Sequence, residues 1–181
     1  TDALLVDDDA TFVADGDISV GQLGEARFKT LTFDGASVSI RETGDMQIDG
    51  INKADSLSLE AIKSGAELGD ITDATTTKIT VAADGTFTAA NKIELADTAN
   101  DELLVGKVAS FEAADTIAVG LTGKAQFGSL TFNTTKAVDI RESGDMELTG
   151  TSEAGVLTLT TIASGAEDGD MSEETLNEPK E

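Results

Sequence analysis

The chain is nearly two copies of one sequence about a hundred residues long. Gly24-Glu-Ala-Arg27-Phe28-Lys-Thr-Leu-Thr-Phe33 lies over Gly123-Lys-Ala-Gln126-Phe127-Gly-Ser-Leu-Thr-Phe132. Val38-Ser-Ile-Arg41-Glu-Thr-Gly-Asp45-Met46 lies over Val138-Asp-Ile-Arg141-Glu-Ser-Gly-Asp145-Met146, and Ser64-Gly-Ala-Glu67 over Ser164-Gly-Ala-Glu167. The offset is 99 residues up to Phe33 and 100 after it, so one insertion between Asn133 and Lys136 accounts for the change. Repetition on this scale points to an architecture built by stacking equal units. It also weighs against any duplicated residue being a unique active centre.

Within each copy the local signal is alternation with a period of two. Val38 and Ile40, Met46 and Ile48, Leu57 and Leu59, Ile79 and Val81, and Ile117 and Val119 each alternate with polar residues. Such runs read as half-buried strands. They are separated by Gly, Asp, Asn, Ser and Thr, the residues that tolerate positive φ or bond their own backbone in turns. The last apolar residues of the strongest strands (Val20, Ile40, Leu59, Val81, then Val119, Ile140 and Leu159) step by roughly 19–22 residues, giving five units per hundred-residue copy. The copies agree at the inward positions, as at Val38/Val138 and Leu57/Leu157, and differ at outward ones, as at Ser39/Asp139 and Lys53/Glu153. Close packing constrains a core and leaves a surface free.

The expected fold is therefore all-β, a single parallel β-solenoid of roughly eight or nine coils of about 20 residues. At about 4.8 Å per coil it forms a rod near 40 Å long. Its core should include Phe12, Phe33, Ile40, Leu59, Phe111, Phe132, Ile140 and Leu159. Two tandem β-sandwiches are the competing architecture. The solenoid should run over residues 1–171, as copies 1–100 and 101–171, followed by an acidic tail over 172–181 that holds the only proline.

Composition narrows the chemistry. With no Cys and no His, disulfides, thiol catalysis, the commonest general base and the commonest transition-metal ligand are all excluded. A net charge of −23 opposes binding to nucleic acid or to anionic membrane surfaces. No stretch is apolar enough for membrane insertion, and the first residues show no signal-peptide pattern. No phosphate loop, dinucleotide fingerprint or nucleophile elbow is present. The chain thus reads as non-enzymatic, with no catalytic or cofactor-binding residues.

Arg41-Glu-Thr-Gly-Asp45 and its twin Arg141-Glu-Ser-Gly-Asp145 are the sharpest motifs. The arginine follows an inward isoleucine and so points outward, where it can bridge to Asp45 or to a carboxylate on the next coil. Arg41, Asp45, Arg141 and Asp145 are read as a structural corner clamp, in preference to a lyase-like arginine and acid pair. Calcium is the candidate ion, with Glu67, Asp70, Asp73, Glu167 and Asp170 as the recurring acids, although no twelve-residue calcium loop is present. Hydroxyl pairs at Thr30/Thr32, Ser129/Thr131 and Thr158/Thr160 could line a flat ice- or polysaccharide-binding ladder. They do not recur at the coil spacing and are read as ordinary outward residues.

Ala10-Thr-Phe-Val-Ala-Asp-Gly-Asp-Ile-Ser-Val20, Phe28-Lys-Thr-Leu-Thr-Phe33 and Asp55-Ser-Leu-Ser-Leu59 resemble the repeats of large secreted bacterial surface proteins, the filamentous-haemagglutinin and autotransporter-like kind. The resemblance extends to about Asp170 and lies in style and period. It implies a right-handed parallel β-helix at the cell surface, serving as a stalk or adhesive segment between flanking repeats of the same polypeptide. The implied partner is a surface ligand or polysaccharide. A polysaccharide-degrading lyase or hydrolase on the same fold is the alternative.

Overall fold

A computed structural model describes residues 2–173. These form eighteen strands with no helix, wound as a parallel β-solenoid of about 8 turns with stacked strands about 22 residues apart. No helix among the described residues is long and apolar enough to cross a membrane.

Two rows of stacked strands run the length of the rod. One row consists of 18–20, 38–43, 57–62, 85–89, 109–113, 129–133, 146–148 and 171–173. The other consists of 9–13, 30–34, 46–48, 71–73, 93–95, 117–119, 137–143 and 156–162. A third, shorter row joins 51–54, 78–81, 102–105 and 124–127. Near the start of the chain, Ala3–Leu5 pairs with Glu25–Arg27.

The alternation has put the apolar residues in register from turn to turn. Val20 pairs with Ile40, Ile40 with Leu59, Leu59 with Phe87, Phe87 with Phe111 and Phe111 with Phe132. Phe33, Phe87 and Phe111 are fully buried. The rings of Phe87 and Phe111 stack with centroids 5.2 Å apart, and Phe127 meets Phe111 edge-on at 5.7 Å. Fully burying one such side chain contributes about 1.5–3 kcal/mol. Of the expected core residues, Phe12 and Leu159 are only partly buried; they belong to the first and last members of their row, where one stacking side lacks a neighbour.

The sandwich alternative does not describe this molecule. The pairing passes without a break from one copy to the next, with Gly85–Ala89 bonded to 57–61 on one side and to 109–113 on the other. The strand Met171–Glu173 pairs with Met146–Leu148, so the solenoid continues past residue 171 into what the sequence suggested was tail. Residues 174–181 lie outside the described residues.

The expectation of five 20-residue coils per copy is corrected in a way that matters for function. A 99-residue offset at about 22 residues per turn is about four and a half turns. Strands 18–20, 38–43 and 57–62 stand in the first row, whereas their equivalents 117–119, 137–143 and 156–162 stand in the second. The reverse exchange holds for 9–13, 30–34, 46–48 and 71–73. The second copy is thus turned by about half a revolution about the rod relative to the first.

Glycine is required where one turn of the solenoid passes close to the next. Gly21 and Gly120 have φ of 73° and 71°, and a Cβ there would strike the carbonyl oxygen of Arg41 or Arg141.

Candidate functional site

The chemistry gathers at one corner per copy. In the first, the strand carrying inward Val38 and Ile40 continues the alternation, so the next inward residue after Ile40 is Glu42, 2 % exposed. Its Oε1 accepts the backbone N–H of Phe28 at 2.8 Å, and its Oε2 is buried without a partner. The chain then turns at Gly44, φ 125°, where the Glu67 carboxylate lies against the bare Cα and a Cβ would collide with it. Glu67 is held by a two-way backbone bridge with Ser64 and forms an ion pair with Arg27. The two motifs noticed separately, Arg-Glu-Thr-Gly-Asp and Ser-Gly-Ala-Glu, are the two halves of this corner. Asp45 completes it: one oxygen accepts the N–H groups of Leu68, Gly69 and Asp70 at 2.8–3.0 Å.

The second corner repeats this with one replacement. Glu142, 1 % exposed, accepts the N–H of Phe127 at 2.7 Å and leaves its Oε2 unpartnered. Glu167 lies against Gly144, φ 121°, and Asp145 accepts the N–H groups of Gly169 and Asp170. Where the first corner has Arg27, the second has Gln126, whose Nε2 donates to Glu167 at 3.2 Å. Burial pushes both buried glutamates up to about 7. In each the N–H bond opposes the shift, and the neighbouring carboxylates (Glu67 and Asp45, or Glu167 and Asp145) reinforce it. Arg27 lowers the value for Glu42, and Glu142 has no such counter-charge.

The arginines of the motif do what the corner reading expected only in part. Arg41 Nε lies 3.0 Å from Glu60 Oε2, its paired residue on the next turn. Arg141 pairs with Thr160 and donates instead to the Leu121 carbonyl at 2.9 Å.

The candidate calcium ligands are not brought together as a set. Glu67 and Glu167 belong to the corners. Asp70 Oδ1 accepts from Asn91 Nδ2 at 2.6 Å and from the Lys92 N–H at 3.3 Å. Asp170 takes part through its backbone, donating its N–H to Asp145 and accepting at its carbonyl from Met146. Asp73 joins two residues the sequence reading passed over, Asp97 and Asp101, with one carboxylate oxygen from each within 4.8 Å of the others. Asp73 pairs with Ile48 in an otherwise apolar inward column. One oxygen accepts the Ala96 N–H at 2.8 Å and the other is buried without a partner. Burial, with Asp101 and Asp97 nearby, raises its pKa to about 7. Asp101 is already committed to the turn, accepting from Thr77 N–H, Thr98 N–H and Thr98 Oγ1. Three carboxylates supply about half the six to eight oxygens calcium takes.

The hydroxyl pairs singled out in the sequence do not form a ladder: Thr30 pairs with Asp9, Ser129 with Val108, Thr158 with Asp139 and Thr160 with Arg141. A different set does stack. Ser19, Ser39, Ser58, Thr86, Ser110 and Thr131 are paired rung to rung along the outer side of the first row. All six are exposed or half-buried. Turns of unequal length hide this column in the linear sequence.

No family model, curated protein or solved structure matches the chain.

Proposed function

We propose that the chain is a structural or adhesive repeat segment of a large extracellular bacterial surface protein, acting as a non-enzymatic stalk. One observation carries this reading: the arginine and aspartate of the lyase-like motif are used in holding turn to turn. Arg41 is committed to Glu60 and Asp45 to three backbone amides, and Asp145 repeats the arrangement with two. A group locked by hydrogen bonds to its own backbone is poorly placed to move a proton in a reaction. The test is an assay for depolymerisation of acidic polysaccharides by the wild type and by Arg41→Ala and Arg141→Ala. Absence of turnover in all three, with cell-surface labelling by an antibody to the chain, supports the stalk. Turnover lost in either variant overturns it.

A second reading, polysaccharide binding without cleavage, rests on the six-rung hydroxyl column from Ser19 to Thr131. Ser39 already accepts from Gln22, and Thr131 donates to the Thr151 carbonyl and accepts from Ser152; the hydroxyls of Ser19, Ser58, Thr86 and Ser110, spaced by about 4.8 Å per rung, can donate to and accept from a repeating polymer. The net charge of −23 favours a neutral glycan over an acidic one. With no Tyr or Trp, stacking on sugar rings has little part in it. Affinity electrophoresis through neutral polysaccharide gels tests it: retardation that Ser58→Glu with Thr86→Glu abolishes supports binding, and unretarded wild-type protein excludes it.

A further inference from the structure

The two ends of the rod repeat the two faces of one internal turn. Strands 85–89 and 93–95 form a turn that lies on 57–61 and 71–72 on one side and beneath 109–113 and 117–119 on the other. The last strands of the molecule, 156–162 and 171–173, are the second-copy equivalents of 57–62 and 71–73. The first strands, 9–13 and 18–20, are the first-copy equivalents of 108–112 and 117–119. One end therefore presents the surface found under that turn, and the other presents the surface found above it.

Neither end carries the turn itself. Among the described residues these four strands each stack on a single strand. Exposure shows the effect: Leu57, beneath Gly85, is 3 % exposed and its equivalent Leu157 is 49 %. Leu103, stacked on Ile79, is 1 % exposed and its equivalent Leu4 is 42 %. A hollow of about 540 Å³, lined by Phe132, Leu148, Ala154 and Leu157, opens at the last turn. A strand edge left unpaired beside an apolar column is a template for another strand.

We propose that the open last turn of one copy receives the first turn of a second copy of this chain, head to tail. The internal columns Leu59–Phe87–Phe111 and Ile71–Ile93–Ile117 show the register. With the middle turn taken out, they set Phe12 of the second copy on Leu159 and Ile18 on Met171. In the third row, Asn52–Ile79–Leu103 sets Leu4 on Ser152, which lines the hollow. The rows agree as well: the first begins with 18–20 and ends with 171–173, and the second begins with 9–13 and ends with 156–162. A partner for the last turn must offer strands in all three rows at this spacing, and the opposite end of the same chain offers them. Joining unlike ends leaves one of each free, so the contact does not close on itself. A chain of net charge −23 repels its copies, and Glu173 beside the hollow adds to this, so joining requires the charge to be screened. An enzyme on this fold would have the same ends, and the inference therefore stands apart from the stalk reading.

Sedimentation velocity of the full chain tests this at about 0.01 M and about 1 M sodium chloride, where the screening length is about 30 Å and about 3 Å. Monomer at low salt should give way at high salt to a series of species that lengthens with protein concentration. Leu4→Asp and Leu157→Asp should each stay monomeric, because each blocks one end. Mixed in equal amounts they should form dimers and nothing longer, since each variant keeps the end that the other has lost. Both positions are exposed, and thermal melts check that the variants fold; Leu4→Ser and Leu157→Ser replace any that does not. Wild-type protein that is monomeric under every condition overturns the proposal. So does wild-type protein that stops at dimers, which means that like ends meet. Folded single variants that assemble as the wild type does, or a mixture of them that stays monomeric, overturn it equally.

Discussion

Glu42 and Phe28 are joined by a 2.8 Å bond from the Phe28 amide to a carboxylate inside the core. The bond favours the ionised acid, but burial outweighs it and the pKa rises from 4.5 to about 7. The folded state therefore holds a proton that the unfolded chain gives up between about pH 4.5 and 7, and stability falls as pH rises through that window. Glu42→Gln keeps an oxygen for Phe28 and removes the ionisation. Facing it are Arg27, Glu67 and Asp45, which the substitution leaves in place. The variant should match the wild type near pH 4.5 and exceed it at pH 8 by on the order of 2 kcal/mol in urea unfolding. A constant difference across that range would show that Glu42 does not titrate with folding.

Ile40 and Ser39 test the assignment of faces. Ile40 is 1 % exposed between Val20 and Leu59. Ile40→Asp should cost about 3–5 kcal/mol or prevent folding. Ser39→Asp should change stability by less than about 0.5 kcal/mol, since Asp139 holds the equivalent place in the second copy. Thermal melts of the two variants decide it.

Asp73 occupies an inward column that is otherwise apolar, with Asp97 and Asp101 beside it. Asp73→Asn retains an acceptor for the Ala96 amide and removes the repulsion. At pH 8 in chelator it should stabilise the chain by about 1–2 kcal/mol, a figure reduced for the group's partial exposure. The gain should vanish by about pH 4, where the wild-type acid is protonated in the folded state. Urea midpoints at the two pH values measure this.

Asp45 gathers three amides and Asp145 two. Asp45→Ala should cost about 1–2 kcal/mol, with Asp145→Ala costing less, because each frees amides that solvent only partly satisfies. Faster hydrogen exchange at Gly69 in the first variant and at Gly169 in the second would locate the loss.

What could be read from the sequence was what depends on alternation: the inward columns, the parallel stacking of Ile40 on Val20 and Leu59, and the outward course of Arg41. Alternation also places Glu42 inward, but a charged side chain two positions after Ile40 breaks the apolar pattern by which a buried column is recognised. The Asp97 and Asp101 partners of Asp73 come from the following turn, more than 20 residues on, and carry no mark in a chain this acidic. The hydroxyl column was hidden because residues 57–62 and 85–89 are one turn apart in space yet separated by an unusually long stretch of chain, including the Ser64 to Glu67 bridge. The half-revolution between copies depends on the same uneven turn lengths, which no pairwise comparison of the copies reveals.

That half-revolution decides how the molecule can engage its surroundings. The two corners face away from each other, displaced along the rod by about four and a half strand spacings, or roughly 22 Å. A flat surface laid along the rod can therefore touch one corner but not both at once. Copying the sequence has thus given the rod a second, opposite face rather than a repeat of the first.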